Sequence, residues 1–511
     1  MLAKVNSCTI IGINGVPLDI EVDITDGLPS FDIIGLPDAS VREAKERVRA
    51  AIRNSGFNFP YKRVTVNLAP ADLKKEGSSF DLAIAIGFLA ATGQVPQNEV
   101  LKNGVFVGEL SLDGSLRRIN GSLAIALSMI ALPSHRDKTL YIPEANTPEA
   151  TLINNLKING VTTLTQLVKH LNNDQKLPAI QPLTGNHYFD SKSELDFKEV
   201  KGQETAKRAL EIAAAGAHNL LLYGPPGSGK TMLARRIPSI LPSPSNDERL
   251  EITKIHSVAG LLNASKPFLA RRPFRSPHHS ASLAGIIGGG KSPRPGEVTL
   301  AHLGVLFFDE MPEYNRELLE ALRQPLEDRE VTVTRLTATV TYPADFMFIG
   351  SMNPCPCGNF GEPHLECRCS HNQILRYRNK LSGPLMDRID LHVEVPAIKY
   401  EQLDGQIEGE SSETIRSRVE KARSIQRERY QNIAATTNAQ LRSKYFKQHC
   451  PLAKDARNLL HQAFQSIGLS MRAHDRIIRV ARTIADLDHS PLIELTHIAE
   501  AIQYRSLDRQ H

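Results

Sequence analysis

Gly224-Pro225-Pro226-Gly227-Ser228-Gly229-Lys230-Thr231 has the spacing G-x-x-x-x-G-K-[ST]. Glycines at these intervals let the backbone curl so that successive N–H groups face the oxygens of a polyphosphate. Lys230 can reach the β- and γ-phosphates, and the Thr231 hydroxyl can ligate Mg²⁺. Such a loop needs an acidic partner, and Val305-Leu306-Phe307-Phe308-Asp309-Glu310 is an apolar run that ends in two carboxylates. Asp309 would hold Mg²⁺ through its water shell, and Glu310 would orient and deprotonate an attacking water. These residue types permit hydrolysis of ATP with Mg²⁺.

A second cluster is made of thiols. Cys355-Pro356-Cys357 and Cys367-Arg368-Cys369 form two C-x-C pairs nine residues apart. Four thiolates suit tetrahedral Zn²⁺, although structural sites more often use C-x₂-C. Gly358 and Gly361 permit the sharp turns such a knuckle needs. With all four positions filled by protein, a zinc here would be structural, not catalytic. Reduced free thiols, or a pair of disulfides, are the other readings of the same spacing. Cys8 and Cys450 stand alone.

Charge is also unevenly placed. The chain has 61 Lys+Arg against 56 Asp+Glu, a formal +5 that argues for no partner by itself. Between Ile252 and Gly296, however, there is no acidic residue. That window holds seven basic ones: Lys254, Lys266, Arg271, Arg272, Arg275, Lys291 and Arg294. It reads as a phosphate-tracking surface, or as a solvated basic face or subunit interface. Val331–Thr341 alternates like a hairpin with Arg335 near its tip, a further candidate phosphate contact. The candidate phosphate-contacting residues of these two stretches are Arg335, Lys291 and Arg294.

These residues need elements to hold them. Leu220–Tyr223 predicts a strand directly before the glycine loop and Thr231–Ile240 a helix directly after it. Three regions separate along the 511 residues. The expected organisation is a mixed α/β domain at 1–171, a Pro- and Gly-punctuated linker at 172–196, a parallel-sheet α/β core at 197–396 with the Cys-rich insert 355–369, and amphipathic helices at 397–511. Strands are expected at Thr9–Ile13, Leu18–Val22, Val64–Leu68 and Gly104–Leu110, with helices at Ser40–Asn54, Asp81–Ala91 and Ser122–Ile130. Hydrophobic content of 41% and charge of 23% describe a globular chain, and the apolar runs are too short to span a bilayer. A signal-peptide-like stretch is missing from Met1–Ser7, and the sparse cysteines fit a reducing, cytoplasmic setting.

The order of GPPGSGKT, LFFDE and then Asn353 after another apolar strand resembles Walker A, Walker B and sensor 1 of the AAA+ ATPases. Gly383–Asp390 resembles the segment that carries the arginine finger in the magnesium-chelatase/MCM branch, which would make Arg388 that finger. Leu469-Ser470-Met471-Arg472-Ala473 resembles sensor 2, with Arg472 on the γ-phosphate. Gly35-Leu36-Pro37-Asp38-Ala39, Val66–Leu73, Arg275-Ser276-Pro277-His278-His279-Ser280 and Arg479–Leu487 extend the likeness nearly end to end, to the YifB/ComM-type magnesium-chelatase-like proteins.

That resemblance implies a fold and a function. The fold is α/β multidomain: a Lon-protease-like (ribosomal S5 domain 2-like) N-terminal domain, an AAA+ P-loop core and an α-helical lid. The implied function is a homo-hexameric, ATP- and Mg²⁺-dependent helicase acting on DNA. It would drive branch migration when transforming DNA is integrated by homologous recombination, with recombination proteins as further partners. A chelatase- or chaperone-like remodeller of a protein partner would carry the same ATP site. In the Lon-like domain Ser79 falls at the nucleophile position, but Leu123 stands where the lysine base would be. Without a base the hydroxyl stays protonated, so peptidase activity is not expected.

Overall fold

The computed structural model describes residues 1–178, 180, 195–263, 266–290, 293–335, 338–362, 366–397, 409–467, 470–505 and 507. Two compact units result. The first comprises Met1–Phe189 together with Arg249–Leu269 and Thr334–Val340, and the second comprises Asp190–Glu248, Ala270–Val333 and Thr341–His511. Most of the expected linker, and Lys291 with it, lies outside the described residues.

The first unit is built on a seven-stranded sheet. Its strands are β1 (Leu2–Ile11), β2 (Asn14–Thr25), β3 (Ser30–Ile34), β4 (Arg63–Ala69), β5 (Gly104–Phe106), β6 (Thr139–Pro143) and β7 (Lys157–Val161), in the order β3-β4-β2-β1-β5-β6-β7. β1 and β2 pair antiparallel from Leu2↔Asp23 to Ile11↔Asn14. Their turn falls on Gly12 and Ile13, inside the run expected as strand, because Gly12 takes φ 65° and reverses the chain there. Strands β3, β6 and β7 were not anticipated. Each is five residues long, too short for a period to stand out.

Helix α1 (Ala39–Asn54) buries Val41, Ala44, Val48, Ala51 and Ile52, one face of a 3.6-residue repeat, and Asp38 caps it by accepting from the Val41 N–H. Helix α2 (Asp81–Ala91) is buried along its whole length. Leu123 on helix α3 (Ser122–Ala131) is fully buried in the apolar core, as its hydrocarbon side chain requires. The segment Arg249–Leu269 belongs to this unit through specific bonds. Ser257 Oγ donates to buried Glu149 (2.5 Å), the Gly121 N–H donates to the Ser257 carbonyl (3.0 Å), and Lys254 Nζ donates to Asn14 Oδ1 (2.6 Å).

The second unit carries a five-stranded parallel sheet, ordered β9-β10-β13-β8-β14, from β8 (Leu220–Tyr223), β9 (Phe274–Arg275), β10 (Val305–Phe308), β13 (Met347–Met352) and β14 (Leu391–Glu394). The strands β11 (Glu330–Arg335) and β12 (Ala338–Pro343) form a separate two-stranded sheet, as the alternation of Val331–Thr341 predicts. Continuous apolar strands such as Val305–Phe308, buried at every position, are those of a parallel sheet covered on both faces.

Helices α4 (Glu204–Gly216), α5 (Ser412–Arg429), α6 (Lys454–Ile467), α7 (Met471–Leu487) and α8 (Leu495–Gln503) share one core with that sheet, from Phe197 to Tyr504. Their packing centres on Asp486, 1% exposed, which accepts from Arg429 Nη1 (2.9 Å), Arg482 Nε (3.2 Å) and Asn438 Nδ2 (2.8 Å). Removing one member of such a network strands the rest. Asp486→Ala, leaving the Arg482 guanidinium buried without its carboxylate, is expected to destabilise this unit by about 3–5 kcal/mol. A urea midpoint equal to that of the unmodified protein would contradict the assignment.

Candidate nucleotide-binding site

The carboxyl ends of the parallel strands bring the phosphate-loop residues together. Gly224–Gly229 runs from the end of β8 into a helix over Lys230–Arg236, with Gly229 at φ 92°, a left-handed turn that costs a side-chain-bearing residue more than glycine. Lys230 is 8% exposed. Its Nζ donates to the Gly224 carbonyl (2.8 Å), the Pro225 carbonyl (2.7 Å) and Asn353 Oδ1 (3.2 Å). Burial lowers its pKa, and the charges of Asp309 and Glu310 partly offset that. Asn353 follows β13, so one ammonium links the ends of two neighbouring strands.

Asp309 and Glu310 follow β10, on the far side of β13 from the loop. Thr231 Oγ1 donates to Asp309 Oδ2 at 2.8 Å. Adjacent oxygens on a Mg²⁺ octahedron with 2.0–2.1 Å bonds lie about 3 Å apart, so this hydroxyl and carboxylate have the spacing of neighbouring ligands. The Ser351 hydroxyl donates to Asp309 Oδ1 and accepts from the Glu310 N–H (3.0 Å), while Glu310 sits exposed at φ 50°. Ser351 was not singled out in the sequence. It lies on β13, two residues before Asn353, which follows the strand, and that period of two was the available signal. Gln203 was also missed. Its Nε2 ties the Ser228 carbonyl (3.3 Å) to the Pro396 carbonyl (2.7 Å), and nothing in its sequence surroundings marks it.

Arg388 and Arg472 are not part of this group. Asn219, Asp345–Phe346 and Asp390 precede β8, β13 and β14, and they line a cavity of about 880 Å³ at the amino ends of the strands. Arg388, Arg472 and Arg476 line the same cavity. Arg388 is held by Glu327 and by the Pro384 carbonyl (2.7 Å), and Arg472 lies 3.8 Å from Asp387. Burial lowers the Arg388 pKa, and the nearby charges of Arg472, Arg323 and Arg476 lower it further. Asp390 is fully buried. Burial alone would raise its pKa, but Arg476 and bonds from His218 and the Asn219 N–H hold it well below the ordinary carboxylate range. The result is a cavity of mixed charge, arginines interleaved with carboxylates, at the end of the strands opposite the phosphate loop.

The four thiols converge. Cys355, Cys357, Cys367 and Cys369 have their sulfurs within 4.8 Å of one another, with Cys355–Cys357 at 3.3 Å and Cys367 at 3.7 Å from both. These separations are far beyond a disulfide bond and close to the roughly 3.8 Å sulfur–sulfur edge of a tetrahedron with 2.3 Å zinc–sulfur bonds. Backbone N–H groups of Asn359 and Arg368 lower the Cys357 thiol to about 6. Four thiols so close cannot all ionise unless a cation balances them. The knuckle also touches the phosphate loop: at Gly358, φ 85°, an added Cβ would come within 2.5 Å of Pro226 Cδ.

Two of the seven basic residues in the acid-free window are ion-paired, and a third is bonded to an amide. Arg272 bonds Glu248 (2.9 Å) and Arg275 bonds Glu297 (2.6 Å), carboxylates just outside it, and Lys254 is bonded to Asn14. For Arg272 and Arg275 the charge is balanced by carboxylates just beyond the two ends of the window. Arg294 and Arg335 are exposed, Arg335 at the end of β11.

Three family profiles match the chain: magnesium chelatase, subunit ChlI, over residues 196–403; subunit ChlI of Mg-chelatase over 20–146; and the ChlI C-terminal region over 409–505. The competence protein ComM of Haemophilus influenzae is 44% identical over 512 residues, covering 99% of this chain and 98% of that one. The YifB protein of Escherichia coli is 43% identical over 509 residues with the same coverage. The chain belongs to the ComM/YifB family of magnesium-chelatase-like AAA+ proteins. Lon protease 2 of Bacillus subtilis is similar at 28% identity over 246 residues, 43% of each chain. The mixed α/β architecture with its helical C-terminal region fits this family. Among the described residues no helix is long and apolar enough to cross a membrane.

The contact of Gly358 with Pro226 makes a direct prediction for this ComM/YifB-family site. Gly358→Ala should weaken binding of a fluorescent ATP analogue about threefold or more, because either the left-handed turn or the phosphate loop must shift. Gly361→Ala is the control: φ is 88°, but nothing lies within 4 Å of its added Cβ. Equal affinities for the two variants would remove the coupling.

Proposed function

We propose that the chain is an ATP-hydrolysing, homo-hexameric DNA motor that promotes branch migration during homologous recombination and the integration of transforming DNA. The observation that carries this reading is the division of charged groups between the two ends of one sheet. Lys230, Thr231, Asp309, Glu310 and Asn353 gather at the carboxyl ends of the strands, while Arg388 and Arg472 stand at the amino ends. Arg388 and Arg472 therefore stand at the other end of the sheet from the phosphate loop of their own protomer. A neighbour in a ring would supply Arg388 and Arg472 across the interface, where added positive charge stabilises the transition state.

In this reading the backbone of Gly224–Gly229 cradles ATP and Lys230 neutralises the β- and γ-phosphates. Thr231, and Asp309 through the water shell, would hold Mg²⁺, which when bound would supply polarisation of the phosphoryl oxygens. Glu310 accepts the proton of the attacking water, and Asn353 positions that water. Residues 1–171 form the Lon-like, non-proteolytic domain, 172–196 a linker, 197–396 the ATPase core and 397–511 the lid. Arg335, Lys291 and Arg294 contact DNA, recombination proteins are partners, and the setting is the cytoplasm. The name of the Haemophilus relative, a competence protein, supports the link to transformation. The match to magnesium chelatase subunits favours a second reading, a ring that remodels a protein partner. Turnover that rises with added DNA supports the motor, and turnover that ignores DNA supports the remodeller.

Glu310→Gln should still bind ATP but lose roughly a hundredfold or more in turnover, as expected for loss of a general base. Full ATPase activity in that variant would refute the assignment. The Cys355–Cys369 knuckle is read as a structural Zn²⁺ site. Elemental analysis of purified protein should find about one zinc per chain, and a metal-free preparation with normal activity would rule zinc out.

A further inference from the structure

The N-terminal unit presents a cationic and aromatic surface that the ATPase reading does not use. Helix α1 carries Arg42, Lys45, Arg49 and Arg53 at spacings of three, four and four residues, so all four share one face, about 4.5–6 Å apart along the axis, with Glu46 the one carboxylate among them. None forms an ion pair with a described carboxylate, whereas Arg47, facing elsewhere, is paired with Asp81 (2.8 Å). The row ends at two rings. The Arg49 guanidinium lies 5.5 Å from the Phe59 ring, and that of Arg53 lies 5.7 Å from both Phe59 and Tyr61.

This platform is anchored. Phe59 stacks on the core ring of Phe88 at 4.3 Å and 9°. The loop is pinned where the Asn58 N–H donates to Gln94 Oε1 (2.8 Å) and Gln94 Nε2 returns to the Asn58 carbonyl (2.9 Å). Tyr61 stands at its end, 73% exposed, with a guanidinium beside it. A cavity of about 330 Å³, lined by Met1, Ile24, Asn58, Pro60, Lys62 and Gln94, adjoins the same loop.

We propose that this surface is a second nucleic-acid site, in which single-stranded DNA runs along α1 and one base stacks on Tyr61. Four unpaired cations in a row suit a chain of phosphates. A water-exposed ring suits the face of an unpaired base, and a base held inside a duplex cannot use it. An acidic protein segment would satisfy the cations but leave the ring without a partner. The site shares no residue with the Arg335, Lys291 and Arg294 set, so it extends the motor reading with contacts of its own.

The test is anisotropy of a fluorescein-labelled oligo-dT with the full chain, without nucleotide, across a salt series. Tyr61→Ala should weaken binding about tenfold, within the range measured for loss of one stacked base. Tyr61→Phe should retain binding, since stacking needs the ring and not the hydroxyl. Arg49→Ala with Arg53→Ala should flatten the slope of log affinity against log salt by about 0.7 per lost contact. Thermal midpoint and DNA-free ATPase rate should stay at their unmodified values, because none of these side chains bonds to a residue of the phosphate-loop site. Unchanged affinity in Tyr61→Ala overturns the proposal. So does an equal loss on heparin, a polyanion without bases, which would mark a general acidic-partner surface. Loss in Arg335→Ala alone leaves the motor standing and this site refuted. Loss in Tyr61→Ala with turnover indifferent to DNA does the reverse.

Discussion

The ammonium of Lys230 is the contact on which the nucleotide site is built. It is almost fully buried and bonded to three neutral oxygens, two from its own loop and one from Asn353. A buried cation is costly unless it is bonded and near opposite charge. Asp309 and Glu310, one strand further out, provide that charge. The sheet order β10-β13-β8 is therefore more than a packing solution. It sets the acidic strand, the Asn353 strand and the loop strand side by side, so that charges from positions far apart in the chain meet at one edge. The apolar faces of these strands bury themselves, and only their ends are left free for polar chemistry.

The same logic explains how much could be read in the sequence. Gly224–Thr231, Asp309, Glu310 and Asn353 are legible because each sits at the end of a continuous apolar run, and their roles depend on local turn geometry. The four cysteines are legible because sequence spacing alone brings each pair close. The charge of the Ile252–Gly296 window was not. Arg272 and Arg275 are neutralised by Glu248 and Glu297, which lie outside the window, and counting charge along the chain does not count it in space. Strands β3, β6 and β7 were hidden for a related reason: five-residue strands in a mixed sheet are specified by their neighbours more than by their own pattern. The assignment of Arg249–Leu269 to the first unit depends on Glu149, about 100 residues away, and no local signal encodes such a pair.

The thiol knuckle shows how a peripheral cluster can matter to the centre. Cys355 is two residues beyond Asn353, and Gly358 lies against Pro226 of the phosphate loop. The Arg378 side chain bonds the Pro354 carbonyl (3.3 Å) and its guanidinium lies 5.4 Å from the Phe360 ring, so the knuckle is held from the other side as well. A cation that fixed the four sulfurs would fix the residue that bonds Lys230. Loss of that cation would free both together.

The cavity at the other end of the sheet has the opposite electrostatic problem. Arg388, Arg472 and Arg476 crowd one wall, and their mutual repulsion is relieved by Glu327, Asp387 and Asp390. Arg388 and Arg476 are each held by a carboxylate, and the Arg476 partner Asp390 is fully buried and strongly favours its ionised form. Arg472 is different. It is more than half exposed and its carboxylate contact is long, at 3.8 Å, so little holds it to Asp387. Of the three, Arg472 is the side chain that can turn towards an incoming anion at least cost, and Arg388 is the one already fixed in direction. One held and one adaptable cation thus stand together at the amino ends of strands whose carboxyl ends carry the phosphate loop.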